Sequence, residues 1–243
     1  MKDLLIVLPA YNEEACIGEF LDKIKADPIY AEADIAVIND GSRDKTAQIA
    51  KSRGVTVISH IFNLGYGCAL QTAYKYADEK GYKFLIQIDS DGQHDVCNLQ
   101  NIYGILTRKD NPPDVVIGSR FMDGSVTFKI SALKKIVISF FRLLIKASTG
   151  NKILDPTSGL QGMSRRIFVH NAVFLNFFSD YPDANMIVQS LLNNFKLEET
   201  SAVMHPRMTG KSMHSGLKPI IYTVTMIIST FVVIARKKVF RKS

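Results

Sequence analysis

The sequence has no tryptophan and little cysteine. Its three cysteines, Cys16, Cys68 and Cys97, lie far apart and form no CxxC pair. An odd, scattered set argues against a disulfide framework and against a zinc site built on paired cysteines, and it favours reduced thiols in the cytoplasm. The apolar run at residues 4–8 is too short for the core of a secretion signal. We therefore expect a protein that works on the cytoplasmic side.

The motifs of several common enzyme classes are also absent. No GxSxG nucleophile elbow and no HExxH zinc pair occurs. Residues 65–70 begin like the GxGxxG loop of dinucleotide-binding proteins, but position 70 is Leu and the loop follows the third predicted strand instead of the first. Gly210-Lys211-Ser212 resembles the end of a P-loop, but His205 stands where that loop needs glycine. These absences disfavour serine hydrolases, zinc proteases, dehydrogenases and P-loop nucleotidases.

Acidic residues are fewer than basic residues: the chain has 23 Asp and Glu against 30 Lys and Arg. The 243 residues carry a net charge of +7, and basic residues concentrate in residues 129–152 and 236–242. Nucleic acid, an anionic membrane surface or a phosphorylated substrate could each match that charge. With 47% hydrophobic and 22% charged residues, the chain has the composition of a folded protein. One catalytic domain with an appendage is the expected organisation.

Short apolar runs alternate with helix-like stretches over residues 1–120. The predicted strands are residues 4–8, 35–38, 55–58, 84–88 and 115–117. The predicted helices are residues 14–25, 44–53, 67–80 and 96–107. Most of the apolar runs lack polar alternation, which is typical of strands buried on both faces. The pattern predicts an α/β fold with a mostly parallel, Rossmann-like sheet flanked by helices.

Polar residues concentrate directly after each predicted strand. The segments are residues 9–14, 39–42, 63–67, 89–93 and 118–120. Ligands of parallel sheets collect beyond the carboxyl ends of the strands, so these segments predict one polar rim that forms the site. Asp40 in the second segment either belongs to a plain turn before a helix or accepts hydrogen bonds from a nucleobase or a ribose.

The fourth polar segment contains the pattern Asp89-Ser90-Asp91, followed by Gln93 and His94. In an extended strand the two carboxylates would point to opposite sides, but at a turn that ends the strand both can converge on one cation. Hard oxygen ligands of this kind select Mg²⁺ or Mn²⁺. The alternative is a turn whose aspartates cap the next helix, and the position at a buried strand end favours the metal site.

Two later segments have features of membrane-associated helices. Residues 131–148 predict a helix with a basic face and a broad apolar remainder, which suits a lipid interface or, alternatively, a helix packed on the domain with a solvated basic side. Its basic face consists of Lys134, Lys135, Arg142 and Lys146. Residues 219–235 carry no charge and precede a basic stretch, which predicts a membrane-embedded or interfacial helix, with a buried core helix as the alternative.

With these motifs assembled, the chain resembles the family 2 inverting glycosyltransferases, in particular the branch that includes dolichol-phosphate mannosyltransferase and other polyprenyl-phosphate glycosyltransferases. The resemblance covers nearly the whole chain. It rests on PAYNEE (9–14), NDGSRDKT (39–46), NLGYGCAL (63–70), DSDGQHD (89–95), GSRF (118–121), DPTSG (155–159), YPDAN (181–185) and RMTGKS (207–212). It implies a GT-A-type catalytic domain over residues 1–215, with a basic amphipathic interfacial helix at 131–150, and a membrane-associated apolar helix with a basic tail over residues 216–243.

The resemblance also implies a role for each matching residue. The nucleotide-sugar donor would be held by Pro9, Tyr11, Glu13, Asp40, Gly65, Gly67, Asp89 and Asp91. The Mg²⁺ or Mn²⁺ ion would be held by Asp89, Asp91 and Gln93. The acceptor and phosphate groups would meet Arg120, Asp155, Thr157, Ser158, Arg207 and Lys211. Asp91, Arg120 and Asp183 would carry catalysis, a single displacement that inverts the anomeric carbon.

The acceptor is inferred from one departure from the family pattern. Many relatives have a second acidic residue in the YPDAN segment, where this chain has Asn185. A sugar hydroxyl needs a general base, whereas a polyprenyl phosphate is already anionic, so Asn185 favours the lipid phosphate. The alternative is a lipid-linked or cell-surface saccharide with Asp183 as the base. A more distant alternative is a nucleotide- or nucleic-acid-binding module without catalysis.

The expected partners follow from this interpretation. They are a nucleotide sugar, a lipid-phosphate acceptor and the cytoplasmic face of the cell membrane. No nucleic-acid partner is expected, and a homo-oligomer is possible.

Overall fold

The computed structural model describes residues 2–128, 130–206 and 218–240, and for residues 218–220 and 238–240 it describes the helical backbone alone. Its centre is a seven-stranded sheet in the order β3-β2-β1-β4-β6-β5-β7. The strands are β1 (Leu4–Ala10), β2 (Ala33–Asn39), β3 (Thr56–Ser59), β4 (Phe84–Gln87), β5 (Val115–Ser119), β6 (Gln161–Ser164) and β7 (Leu197–Ser201). The helices are α1 (Ile17–Ala26), α2 (Thr46–Ser52), α3 (Tyr66–Lys80), α4 (Cys97–Leu106), α5 (Ala132–Thr149), α6 (Arg165–Ala172), α7 (Ala184–Leu192) and α8 (Lys218–Phe240).

The sheet is parallel except for β6. Strands β3, β2, β1 and β4 pair in parallel, and so do β5 and β7, whereas β6 runs antiparallel between β4 and β5. The register pairs Gln87 at the end of β4 with Gln161 at the start of β6. The segment that leads into β6 therefore lies at the edge where β4 ends, beside the Asp89-Ser90-Asp91 turn.

The two faces of the sheet carry separate apolar cores, because successive side chains of a strand point to opposite faces. Leu5 and Val7 of β1 belong to the core that α3, α5, α6, α7 and α8 cover. Leu4, Ile6 and Leu8 belong to the other core, which α1 and α4 cover. All seven residues of β1 are buried, as expected for a strand at the centre of a doubly covered sheet.

Helices α5 and α8 both pack against α7 and both leave an apolar face exposed. On α5 the buried residues are Ile138, Phe141 and Ile145, and on α8 they are Met226, Ser229, Thr230 and Val233. The exposed residues on α5 are Leu133, Ile136, Phe140 and Leu143, and on α8 they are Ile221, Val224, Ile228, Phe231 and Val232. Within the described residues no helix is both long enough and apolar enough to cross a bilayer.

The five strands and six helices predicted from the sequence are all present, with ends shifted by a few residues. Strands β6 and β7 were missed. QGMS and LEETS are short and polar, so neither has the apolar run that indicates a buried strand. The predicted basic face of α5 is also partly wrong, because Arg142 points inward. Its Nε donates to the carbonyl of Leu154 at 2.6 Å, and its guanidinium lies 4.4 Å from the centre of the Phe121 ring.

Candidate active site

The loops after β1 and β2 are joined by hydrogen bonds. The Glu13 amide donates to Thr46 Oγ1 at 2.8 Å, and the Asn12 amide donates to Ser42 Oγ at 3.0 Å. Asn12 has a φ of 55°, a left-handed conformation that asparagine tolerates better than most residues. Tyr11 stays 44% exposed at the rim. The two loops thus form one wall of the cleft, at the place predicted for the nucleotide.

Asp40 is buried and organises the loop that follows β3. Its Oδ1 accepts from the Leu64 amide and its Oδ2 from the Gly65 amide, both at 2.8 Å. His60 Nδ1 lies 2.7 Å from Oδ1. The structure therefore gives Asp40 the task of shaping the glycine turn. Its predicted contact with the nucleotide stays a prediction.

The glycine turn brings α3 against the metal-type segment. Gly65 precedes α3 with a φ of 97°. At Gly67 a Cβ atom would come within 2.1 Å of the Ser179 carbonyl oxygen, so only glycine allows this backbone to approach. Between them, Tyr66 donates its hydroxyl to Asp89 Oδ1 at 3.0 Å. Burial and the nearby Asp89 raise the pKa of Tyr66 well above its usual value, so it acts as a neutral donor.

The residues that follow β4 fit a hard divalent cation. Asp89, Asp91 and Gln93 offer carboxylate and amide oxygens, the donor set that Mg²⁺ and Mn²⁺ prefer. Space for the Asp89 carboxylate exists because residue 159 is glycine: a Cβ there would lie 2.6 Å from Asp89 Oδ2. The described part of the chain contains no cluster of three His, Cys, Asp or Glu side chains suited to a metal, so the assignment of a metal to Asp89, Asp91 and Gln93 stays a prediction.

His94, next to this segment, is buried. Burial lowers its pKa to about 4, so it is neutral at physiological pH. Its Nδ1 has no hydrogen-bond partner among the described residues. A neutral, enclosed imidazole therefore adds no positive charge beside Asp91 and Arg120.

Arg120, at the end of β5, is fixed by Asp155. The guanidinium donates to both Asp155 oxygens, from Nε at 2.7 Å and from Nη2 at 2.6 Å, and the Arg120 amide adds a third bond at 2.9 Å. Nη2 also donates to Thr157 Oγ1 at 2.8 Å. The two charged side chains are 6% and 0% exposed. A bidentate pair of this kind fixes the orientation of the arginine.

Further contacts hold the segment that carries Asp155. Glu199 of β7 accepts from the amides of Leu154 and Asp155, at 2.6 and 2.8 Å. Ser158 donates its hydroxyl to the Gly118 carbonyl at 2.5 Å. Ser158 therefore has a structural partner in β5, whereas the sequence predicted a contact with the acceptor.

Asp183 lies at the start of α7, inside the same cluster. Burial, together with the nearby carboxylates of Asp89 and Asp155, raises the pKa of Asp183 to about 6, although the Tyr222 hydroxyl and Arg120 act in the opposite direction. Tyr222 of α8 donates to Asp183 Oδ2 at 2.5 Å. The carboxylate is therefore close to its titration point near neutral pH, as a general base should be.

Asn185 is buried between α7 and α8. It is 0% exposed, its Oδ1 accepts from the amides of Asp183 and Met186, and its Nδ2 donates to Ser229 Oγ of α8 at 2.9 Å. A residue at this position serves the α7–α8 interface, so its identity does not report whether the acceptor needs a base. The argument that Asn185 favours a lipid-phosphate acceptor therefore gains no support from its contacts and stays a prediction.

The structure brings most of the predicted site residues to one edge of the sheet. Asp89, Arg120, Asp155 and Asp183 are close enough to influence one another's charge. Arg207 and Lys211 lie outside the described residues. The sequence missed three contributors: Tyr66 within a quoted motif, Glu199 in the unpredicted strand β7, and Tyr222. One feature of the sequence could have indicated Tyr222: it is the one tyrosine in the uncharged stretch 219–235. A buried tyrosine hydroxyl needs a hydrogen-bond partner, so a polar contact was to be expected there.

Comparison with known proteins identifies the family. The model of glycosyl transferase family 2 matches residues 5–170. The chain belongs to this family. A family 2 glycosyltransferase with a mostly parallel sheet and the rim described above has the GT-A fold predicted from the sequence.

Several relatives resemble this family 2 chain over most of its length. An uncharacterised protein of Methanocaldococcus jannaschii is 35% identical over 67% of this chain and 65% of its own length. The undecaprenyl-phosphate mannosyltransferase of Micrococcus luteus is 27% identical over 64% of each chain. The polyprenol monophosphomannose synthase of Mycolicibacterium smegmatis is 26% identical over 87% of this chain and 81% of its own. The match thus spans slightly less than two thirds of the first two relatives.

A solved structure supports the fold of this family 2 member. Glucosyl-3-phosphoglycerate synthase from Mycobacterium tuberculosis, in complex with UDP, superimposes with a TM-score of 0.69. The superposition covers 96% of this chain and 80% of that protein, at 19% identity. At this identity the likeness concerns the fold alone.

Proposed function

We propose that this family 2 glycosyltransferase moves a sugar from a nucleotide-sugar donor to a polyprenyl phosphate, with inversion and with help from Mg²⁺ or Mn²⁺, at the cytoplasmic face of a membrane. The observation that carries the proposal is the convergence of Asp89, Arg120 and Asp183 at one edge of the sheet, beside two helices with exposed apolar faces. The names of two relatives, which specify undecaprenyl phosphate and polyprenol, support the same acceptor class.

The donor side of the cleft consists of the wall at Pro9, Tyr11 and Glu13 and the turn at residues 65–67. Asp89, Asp91 and Gln93 would hold the divalent ion, which neutralises the charge of a diphosphate leaving group when it is bound. Glucosyl-3-phosphoglycerate synthase was crystallised with Mn²⁺ and UDP, which supports a divalent ion in this fold. Ser90 donates its hydroxyl to the Pro9 carbonyl at 2.8 Å and so ties the two halves of the donor side together.

The acceptor side centres on Arg120. The contacts with Asp155 and Thr157 use its Nε and Nη2 atoms, so Nη1 is the part that we assign to the acceptor phosphate. Asp155 keeps the guanidinium in one orientation before substrate arrives, which lowers the entropy cost of binding the phosphate. Lys134 of α5 feels the charge of the same group: partial desolvation and the nearby Arg120 lower the pKa of Lys134.

A phosphate oxygen of the acceptor attacks the anomeric carbon, and the nucleoside diphosphate leaves from the opposite side. Because a prenyl phosphate is anionic at neutral pH, this attack needs no general base. Asp183 then stabilises positive charge that develops on the sugar, a role that its ionised form fulfils.

A saccharide acceptor is the second candidate. The raised pKa of Asp183, about 6, favours it, because a base in that range is ionised at neutral pH and still takes up a proton readily. In that case Asp183→Asn lowers kcat by at least about 10²-fold, the usual contribution of a general base. With a phosphate acceptor the loss is smaller.

The membrane would be met by the exposed apolar faces of α5 and α8. Leu133 and Ile136 are 69% and 66% exposed, and Ile221 and Ile228 are 56% and 59% exposed. Apolar side chains on such a helix prefer the boundary between lipid headgroups and acyl chains. Lys134 and Lys135 of α5 would contact the headgroups of anionic lipids. These exposed faces support an acceptor that is held at the membrane surface.

The test is a turnover assay in detergent with Mg²⁺ or Mn²⁺. It runs UDP-, GDP- and dTDP-sugars against undecaprenyl phosphate, with Asp91→Asn as the inactive control. Metal-dependent transfer to the lipid that the variant abolishes is the expected result. Donor binding or hydrolysis without transfer to this lipid moves the acceptor to a saccharide, and no metal-dependent binding of any nucleotide sugar refutes the proposal.

A further inference from the structure

Helix α8 contacts the active-site cluster through the hydroxyl of Tyr222. Tyr222 lies in its second turn and donates to Asp183 Oδ2 at 2.5 Å. The ring is held in place by Tyr181, with ring centres 5.0 Å apart and planes at 82°, an edge-to-face arrangement. The phenol has one polar atom, and that atom contacts the carboxylate we place beside the reacting sugar.

A second contact ties the same two helices together. Asn185 Nδ2 donates to Ser229 Oγ, seven residues after Tyr222 along α8. Asn185 also accepts from the Asp183 amide at 2.9 Å, so the first turn of α7 is connected to α8 through both the side chain and the backbone of Asp183. Both Asn185 and Ser229 are buried. Two polar contacts at the start of one helix set its position more sharply than apolar packing alone does.

The surroundings of Asp183 give this contact its importance. The charged groups around it are Asp89 after β4, Arg120 after β5, Lys134 of α5 and Asp155 before β6, and Tyr222 faces it from α8. Two of these neighbours repel a carboxylate, so its rotamer depends on the attractive partners. Tyr222 itself stays protonated, because burial and Asp183 raise its pKa well above the usual value.

We propose that Tyr222 is a positioning residue, whose hydroxyl fixes the Asp183 carboxylate in its working orientation, so that the active site is complete only while α8 is seated on α7. The inference rests on the proposed role of Asp183 in sugar transfer. Because the opposite face of α8 exposes Ile221, Val224 and Ile228, a membrane that holds this face also holds the helix that orients Asp183. Binding at the lipid surface and competence for transfer are then coupled through one side chain.

The experiment compares Tyr222→Phe with Tyr82→Phe in the full chain. Tyr82 is a matched control, since its hydroxyl also donates to a carboxylate, Asp34 Oδ2 at 2.9 Å. Asp34 lies near the N-terminal ends of β1 and β2, whereas the site lies beyond the C-terminal ends of the strands. We expect Tyr222→Phe to lower kcat about 10-fold, the effect of losing one hydrogen bond to a charged group, while KM for the nucleotide sugar changes less than about 2-fold. Tyr82→Phe should leave both constants at their wild-type values.

A double-variant test shows whether the effect passes through Asp183. In the Asp183→Asn background, Tyr222→Phe should lower kcat by less than about 2-fold, since the two changes remove one shared interaction. Equal losses in both backgrounds would overturn the proposal. So would a kcat for Tyr222→Phe that equals that of Tyr82→Phe.

A third readout is independent of turnover. Amide hydrogen exchange at residues 183–187 should become about 10-fold faster in Tyr222→Phe and stay unchanged in Tyr82→Phe, because the first turn of α7 loses its tie to α8. If the wild-type protein transfers sugar but exchange and kcat are both unaffected, this inference fails and the proposed function stands. If no sugar is transferred, the proposed function fails, and exchange alone decides whether α8 positions Asp183.

Discussion

The pair formed by Arg120 and Asp155 allows a quantitative test of how the acceptor side is built. The perturbation is Asp155→Asn, which keeps the size of the side chain and removes its charge. The guanidinium of Arg120, whose side chain is 6% exposed, then loses the ionised partner that receives two of its hydrogen bonds. A buried charge without its counter-ion is among the most destabilising features a fold can contain.

The expected magnitude follows from burial. Removing one partner of a buried ion pair costs about 3–5 kcal/mol, a large part of the total stability of a domain. For a domain of this size each kcal/mol corresponds to about 2–4 °C in Tm, so Asp155→Asn should lower Tm by about 6–20 °C. The control is Asp3→Asn, which breaks the 2.9 Å pair with Lys83 whose side chains are 51% and 64% exposed. That loss should stay below about 1 kcal/mol.

The measurement is chemical and thermal unfolding of both variants, followed by a double variant. Arg120→Met combined with Asp155→Leu replaces the pair by apolar side chains and should recover most of the stability, because neither charge then remains buried. It should not recover sugar transfer, since Arg120 is assigned to the acceptor phosphate. The reasoning is refuted if Asp155→Asn is as mild as Asp3→Asn, or if the double variant is fully active.

Three further predictions concern other parts of the molecule. Folding raises the pKa of Asp183 from 3.8 to about 6. Between these two pH values the folded protein retains a proton that the unfolded chain has lost, so the free energy of unfolding falls as the pH rises through this range. Asp183→Asn should therefore raise Tm relative to wild type at pH 7.5 and leave it unchanged near pH 4; a constant difference would contradict the raised pKa. Gly67→Ala should destabilise by about 1–3 kcal/mol because its Cβ meets backbone, whereas Gly104→Ala in helix α4, where nothing lies within 4 Å, should stabilise slightly, as unfolding curves will show. Ile136→Glu and Ile228→Glu should each lower co-sedimentation with anionic vesicles several-fold without changing Tm, and equal binding would refute the membrane-facing assignment.

The donor half of the molecule could be predicted from the sequence because local signals determine it. Buried parallel strands have continuous apolar runs, and polar segments at their ends must meet at one edge. The sequence therefore predicts that Asp89, Asp91 and Gln93 lie together, and the structure brings Asp89 to the predicted rim. The two missed strands lack such a signal, since β6 and β7 are held by their neighbours instead of by their own composition.

The acceptor half was harder to predict because its residues acquire their roles from tertiary contacts. Asn185 looked like a substituted catalytic position, yet it is buried against Ser229. Arg142 has the helical spacing of a surface residue, yet it turns inward to the Leu154 carbonyl. Periodicity assigns a residue to a face of its helix, but it does not say which neighbour covers that face.

The antiparallel strand β6 has a consequence for how this architecture diversifies. Because β5 and β6 are hydrogen-bonded neighbours of opposite direction, residues 120–160 leave the sheet and return to it at the same edge, as the loop of a very long hairpin does. Helix α5 lies entirely within that excursion. Between Arg120 and Asp155, which hold its two ends together, such a segment can change in length without altering the register of a single strand. Evolution can thus remodel the surface formed by α5 by editing one insertion, and an engineer can graft a different helix between the same two residues.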